Sequence, residues 1–242
     1  MNKPRQAGTA ALCRLALAAA SLSCASAPGQ AARIALDVGH NLEKPGAISA
    51  FGETEFSYNQ ALARVIASTL EGAGHDVTLI GDDGMMLELK PRAEAAAGFD
   101  LFVSVHHDSM KQEYLEEWLV NGQPRWMSER FQGHSLFVYP DGPQYAQSLH
   151  CASALARQLQ KRGLTPTLHH ADGIAGENRP LLDRELGIYA ANFAVLRHNT
   201  VPAILFEAGV ILHPEEAKTL KLLDTRKKIA SALADSLHCL RP

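Results

Sequence analysis

The chain is poor in cysteine, and its cysteines are not spaced for metal. Cys13, Cys24, Cys151 and Cys239 are the four present in 242 residues. None forms a C-x-x-C pair, which excludes a cysteine-based zinc site. No uncharged run of about 18 residues occurs beyond the N-terminal region, so no internal transmembrane helix is expected. Positive charge is not in excess either: 23 Lys and Arg stand against 26 Asp and Glu, a formal charge of −3. A mildly acidic chain lacks the basic footprint that nucleic acid requires, and nucleic acid is excluded as a partner. Internal repeats, linkers and low-complexity stretches after residue 32 are absent as well, which leaves residues 33–240 as one domain.

Residues 1–31 stand apart. They hold Lys3, Arg5 and Arg14, no acidic residue, and the small, apolar run LALAAASLSCASA over 15–27. A basic start, a short apolar run and an A-x-A-like end are the marks of a secretory signal. Cleavage after Ala31 is preferred to cleavage after Ala27, because Pro28 follows the latter. Removal of the three positive charges moves the formal charge from −3 to −6. The mature chain is then expected in the periplasm or outside the cell, with no membrane span. Export leaves Cys151 and Cys239, each within a helical pattern. A disulfide is open to them, but two buried small apolar residues are the preferred reading.

The remaining pattern alternates. RIALDVGH (33–40), DVTLIG (76–81), DLFVSVH (100–106), HSLFVYP (134–140) and PAILFEAG (202–209) read as strands, and FAVLRHN (193–199) reads as a further one. Between the first two strands, Leu62, Val65, Ile66, Thr69 and Leu70 recur at helical spacing, with Thr54 as the cap and Gly72 and Gly74 at the close. Pro91 opens a short helix through Ala97, residues 143–163 form a long one, and Ile229, Leu233, Leu237 and Leu240 mark the last. Residues 110–133 read as a hydrophilic excursion with one helical turn, and 164–187 as loop. Short continuous apolar strands alternating with helices predict an α/β single domain, a mainly parallel twisted sheet with helices on both faces.

Three of these strands end on chemistry. The first ends at His40, the third at His106 and the late one at Glu207, while Glu55 opens the helix after the first. The carboxyl ends of parallel strands line one crevice, so residues distant in sequence can meet there. Two histidines and a carboxylate suit zinc with a fourth position open to water, and a second carboxylate would then move the proton. Spacing alone leaves two alternatives standing: hydrogen-bonded structural histidines, and a Glu207 buried in a salt bridge with an arginine such as Arg92.

Four segments taken together resemble the zinc-dependent N-acetylmuramoyl-L-alanine amidases of the type-3 amidase domain. IALDVGHNLEKPGA resembles the opening D-x-G-H strand and its Pro/Gly turn, and GETEFSYNQALARVIASTLEGAGHDVTLI the E-x-x-x-N helix. LKPRAEAAAGFDLFVSVHHDS resembles the L-x-x-R helix with the S-x-H-x-[ND] strand, and VLRHNTVPAILFEAGVILHPEEAKTL the segment that carries P-A-[IV]-L-x-E-x-G. The resemblance implies His40, Glu55 and His106 as zinc ligands and Glu207 as the catalytic carboxylate. Glu55 is preferred to Glu53 because Asn59 follows it by four. His107 falls on a variable position, and Arg92 on an arginine that ties a loop. Val38, Asn41-Leu42, Val210 and His213 depart from the family pattern without removing a ligand. The implied activity is hydrolysis of the amide between N-acetylmuramic acid and L-alanine of peptidoglycan. Residues 110–133 and 164–187 would border the cleft, with Trp118, Trp126, Glu177 and Arg179 as contacts for glycan or peptide. Those two segments are also where a blocking element, displaced by a protein activator, would lie. A wall-binding protein without catalysis and a zinc peptidase or deacylase for another amide are the competing readings.

Overall fold

The structure is a computed structural model that describes Met1, residues 31–173 and residues 178–241. Residues 2–30, most of the expected signal, and Glu177 lie outside the described residues. The secondary-structure elements of the described residues all belong to one compact unit, Ala31–Pro242. In chain order it runs β1 (Arg33–Val38), α1 (Glu55–Gly72), β2 (Asp76–Ile80), α2 (Leu89–Glu94), β3 (Leu101–Asp108), β4 (Glu116–Val120), β5 (Gln123–Met127) and β6 (Ser135–Val138). It continues with α3 (Tyr145–Lys161), β7 (Leu181–Asp183), β8 (Ile188–Ala190), α4 (Ala194–Arg197), β9 (Ala203–Val210), α5 (Pro214–Lys221) and α6 (Leu223–Ser236).

One sheet has the order β2-β1-β3-β9-β6-β8-β7, and β4 pairs with β5 apart from it. β2, β1, β3 and β9 are parallel, β6 is antiparallel to β9, β8 is parallel to β6, and β7 is antiparallel to β8. The α/β sheet predicted from the sequence is present, and the antiparallel pairs β6/β9 and β7/β8 make it mixed. Its central strands are mostly apolar because both faces are covered. On β1, Ile34, Leu36 and Val38 pack into the layer of α1, α3 and α6, whereas Ala35 packs into the opposite layer with Val195 and Leu196 of α4. α1 buries Leu62, Ile66 and Leu70 against the sheet, and Thr54 Oγ1 caps it by accepting from the Ser57 amide at 3.3 Å.

Four local expectations change. Residues 193–199 are not a strand: α4 occupies Ala194–Arg197, since burying Val195 and Leu196 together against the sheet outweighs a β-like local pattern. The excursion at 110–133 holds the β4–β5 hairpin, whose two-residue turn is Asn121-Gly122 with φ of 53° and 75°. Asn-Gly is the pair that tolerates two successive left-handed residues. The 164–187 segment contributes β7 to the sheet edge. Neither segment contains an α-helix among its described residues. Finally, Cys151 and Cys239 are bonded, with Cα atoms 5.1 Å apart, and are not two separate thiols. α3 packs on α6 and the turn after it, which carries Cys239 to α3. Gln147 Nε2 also donates to the Cys239 carbonyl at 2.6 Å.

Candidate metal centre

β1 delivers the chain to the carboxyl edge of the sheet, where Gly39 still donates to the Val105 carbonyl of β3 at 3.0 Å. The next residue, His40, has φ of +67°. A non-glycine residue in that region needs external support, and Arg92 of α2 supplies it. Its Nη2 donates to the His40 carbonyl at 2.5 Å and the Met86 carbonyl at 2.6 Å, while Nη1 donates to the Val38 carbonyl at 2.6 Å. Nη1 also pairs with Asp37 Oδ1 at 2.7 Å, and Ser104 Oγ donates to Asp37 Oδ2 at 2.6 Å. Arg92 and Asp37 are each 1% exposed, so each charge depends on the other for its neutralisation. Arg92 therefore ties the His40 turn, and the alternative pairing with Glu207 is corrected.

Glu55 meets both histidines. Its Oε2 lies 2.9 Å from His40 Nε2 and accepts from the Ala47 amide at 3.1 Å, and its Oε1 lies 3.0 Å from His106 Nδ1. The donor atoms of His40, Glu55 and His106 all fall within 4.8 Å of one another. Glu53 pairs instead with Lys221 and with Ser49 Oγ. Burial opposes ionisation of Glu55, but its hydrogen bonds from His106 and His40 prevail and hold its carboxyl far below the usual range. Burial would lower the His40 pKa, yet the hydrogen bond and charge of Glu55 raise it.

Two glycines make room for this convergence. A Cβ on Gly39 would strike the His106 ring, and one on Gly46, at φ +78°, would strike Glu55 Oε2 and the His40 ring. Asn59, one turn after Glu55, donates to Glu55 Oε1 at 3.3 Å and to the Gly39 carbonyl at 3.1 Å. Its Oδ1 meets His107 Nδ1 at 2.7 Å. The histidine doublet thus divides: His106 faces Glu55, whereas His107 is buried behind it, its pKa pushed down to about 3 by burial. The Asn59–His107 link is a support that spacing alone does not show.

Glu207 of β9 is the register partner of His106 of β3. Its Oε2 is buried without a hydrogen-bond partner among the described residues. Burial, followed by the negative charges of Asp108 and Glu55, raises its pKa well above the ordinary value. Gly209 makes room for Glu216. A Cβ there would lie 2.9 Å from Glu216 Oε1, and Glu216 accepts from the Val210 and Gly133 amides. His213 caps α5 through its Nδ1, which accepts from the Glu216 amide at 3.3 Å. Trp118 and Trp126 stand on the hairpin at 42% and 46% exposure. Arg179 borders an open cleft of about 420 Å³ with Tyr139, Asn192 and Phe193. Two imidazoles and a carboxylate converging beside a second carboxylate with one buried oxygen form a donor set that fits a divalent transition metal.

A family model described as N-acetylmuramoyl-L-alanine amidase matches residues 34–239. The N-acetylmuramoyl-L-alanine amidase AmiC of Neisseria meningitidis serogroup B is 28% identical over 219 residues, which are 85% of this chain and 51% of that protein. AmiA of Escherichia coli is 26% identical over 217 residues, 84% of this chain and 74% of that protein. The chain spans about half the length of the first of these relatives. Among solved structures, the catalytic domain of CwlV, from Bacillus (Paenibacillus) polymyxa var. colistinus, matches with a TM-score of 0.63. It is 25% identical, over 86% of this chain and 96% of that one.

Proposed function

The chain belongs to the N-acetylmuramoyl-L-alanine amidase family, and on that premise we propose that it is a zinc-dependent peptidoglycan hydrolase. Its substrate bond is the amide between N-acetylmuramic acid and the L-alanine of the stem peptide. The observation that carries this reading is the convergence of His40, Glu55 and His106 within 4.8 Å, with Glu207 in register beside His106.

His40, Glu55 and His106 would hold the zinc. When bound, a zinc ion supplies Lewis acidity to the scissile carbonyl and makes water a nucleophile near neutral pH. Glu207 takes the proton of the attacking water and returns it to the departing L-alanine nitrogen. One of its two carboxylate oxygens, Oε2, is buried and has no hydrogen-bond partner among the described residues. Arg92 and Asn59 are positioning residues: the first holds the His40 turn, the second holds Glu55 against the two rings. The cleft beside Arg179 and the Trp118–Trp126 hairpin are proposed contacts for stem peptide and glycan, Arg179 as a carboxylate binder.

Action outside the cytoplasm is part of the proposal. The Cys151–Cys239 bond supports it, since disulfides persist in oxidising compartments, and the basic-apolar segment at 1–31 reads as the export signal. The test is mass spectrometry of purified sacculi digested with the protein, with and without a chelator. New L-alanine amino termini that disappear on chelation are the expected result. Other new amino termini would point to a peptidase, and binding to sacculi with no soluble peptide released would point to a wall-binding protein.

A further inference from the structure

The end of β3 carries a second convergence of donors that the proposed reaction does not use. Asp108 lies two residues beyond His106, across a shift in the β3–β9 register. Its Oδ2 is 2.6 Å from His170 Nε2 and 3.4 Å from His169 Nε2. The donor atoms of the three residues lie within 4.8 Å of one another. All are buried, with exposures of 6%, 4% and 7% for Asp108, His169 and His170.

The surroundings hold these groups as ligands are held. His169 Nδ1, the nitrogen away from Asp108, lies 3.0 Å from Thr167 Oγ1, so the ring is oriented from behind. Phe131 packs on His169 at 5.3 Å between ring centres, and Phe137 and Tyr189 meet His170 at 5.0 and 5.5 Å. Two neighbouring imidazoles and a carboxylate in an aromatic wall repeat the donor set of His40, Glu55 and His106, where the matching distances are 2.9 and 3.0 Å. A buried carboxylate requires a positive neighbour. Two nitrogens and one oxygen suit zinc and its neighbours in the transition series, not calcium or magnesium, which take oxygen.

We propose that Asp108, His169 and His170 form a second site for a divalent transition-metal ion, distinct from the one at His40, Glu55 and His106. It is carried by the end of β3 and by the segment between α3 and β7. Neither histidine of this segment belongs to any motif that marks the family in the sequence.

The test is zinc content per chain. The full chain is stripped with a chelator, dialysed against zinc buffered by a weak competitor, and analysed for bound metal. Two equivalents are expected for the wild type, one for His40→Ala/His106→Ala, and one for His169→Asn/His170→Asn. Circular dichroism checks that each variant is folded. If the His169/His170 variant does not fold, the His40/His106 variant decides: one retained equivalent supports the second site, and none overturns it. A wild type with a single equivalent that vanishes in His40→Ala/His106→Ala also overturns it. A single equivalent that survives in that variant and is lost with His169 and His170 upholds the second site while removing the zinc-hydrolase reading above.

Discussion

His106 and Glu207 stand opposite each other in register on β3 and β9, two parallel strands whose sequence positions are about a hundred residues apart. The pairing places an imidazole that faces Glu55 next to a carboxylate with a buried, unpartnered oxygen. One residue of slip in either strand would send one of the two to the other face of the sheet.

This pairing yields the first prediction. Glu207→Gln is nearly isosteric and should retain metal at the wild-type level while release of soluble peptide from sacculi falls by about 100-fold or more, the range expected for loss of a general acid/base. His40→Ala, Glu55→Ala and His106→Ala should each lower metal content. Wild-type turnover in Glu207→Gln would remove Glu207 from the chemistry.

Gly39→Ala tests the crowding around His106. The added Cβ meets the imidazole ring, so the ring must shift. Metal affinity should drop while the far-ultraviolet circular dichroism spectrum stays that of the wild type. An unchanged metal isotherm would show that the ring can move without cost.

Arg92→Met leaves Asp37 buried without its partner. Breaking a buried pair in this way typically costs about 3–5 kcal/mol, and the His40 turn loses its anchor at the same time. Urea unfolding should show a loss of that size together with weakened metal binding. Recovered stability in Asp37→Asn/Arg92→Met, with metal binding still weak, would separate the turn from the pair.

Glu216 sets a pH dependence. Burial raises its pKa to about 7 in the folded chain, against an unfolded value of 4.5. A carboxyl whose pKa is raised by folding stabilises the fold below the unfolded value, and the contribution is lost as pH rises through about 7. Glu216→Gln cannot ionise, so its stability relative to wild type should improve between pH 5 and pH 8, by on the order of 2–3 kcal/mol at most. Parallel urea midpoints for the two proteins across that range would refute the assignment.

The Cys151–Cys239 bond closes a loop with a sequence separation of 88. Chain-entropy arguments assign such a loop about 4–5 kcal/mol. Cys151→Ala/Cys239→Ala should therefore melt well below the oxidised wild type, and close to the reduced one. Equal melting temperatures with and without reductant would show that the bond adds no stability.

The sequence by itself determined the elements with a strong local signature. The apolar runs that became β1, β3 and β9 were legible because burial on both faces demands continuous apolar residues. The start of α1 was legible because Thr54 is a cap followed by helical spacing. His40, His106 and Glu207 were conspicuous as polar residues at the ends of such runs. The Asn121-Gly122 turn was also legible in principle, yet a hydrophilic hairpin buries little and leaves a faint pattern around it.

Only the tertiary structure decided what depends on partners distant in the chain. Residues 193–199 became α4 because Val195 and Leu196 had a sheet face to cover. Arg92 went to Asp37 and the His40 turn, not to Glu207, because the fold brings α2 within hydrogen-bond reach of the end of β1. Cys151 found Cys239 through the packing of α3 on the chain end, and Asp108 found His169 and His170 in a segment whose sequence reads as loop. The physical reason is common to all four cases. Local propensity is worth tenths of a kcal/mol per residue, whereas a buried ion pair broken or a buried face left bare costs several.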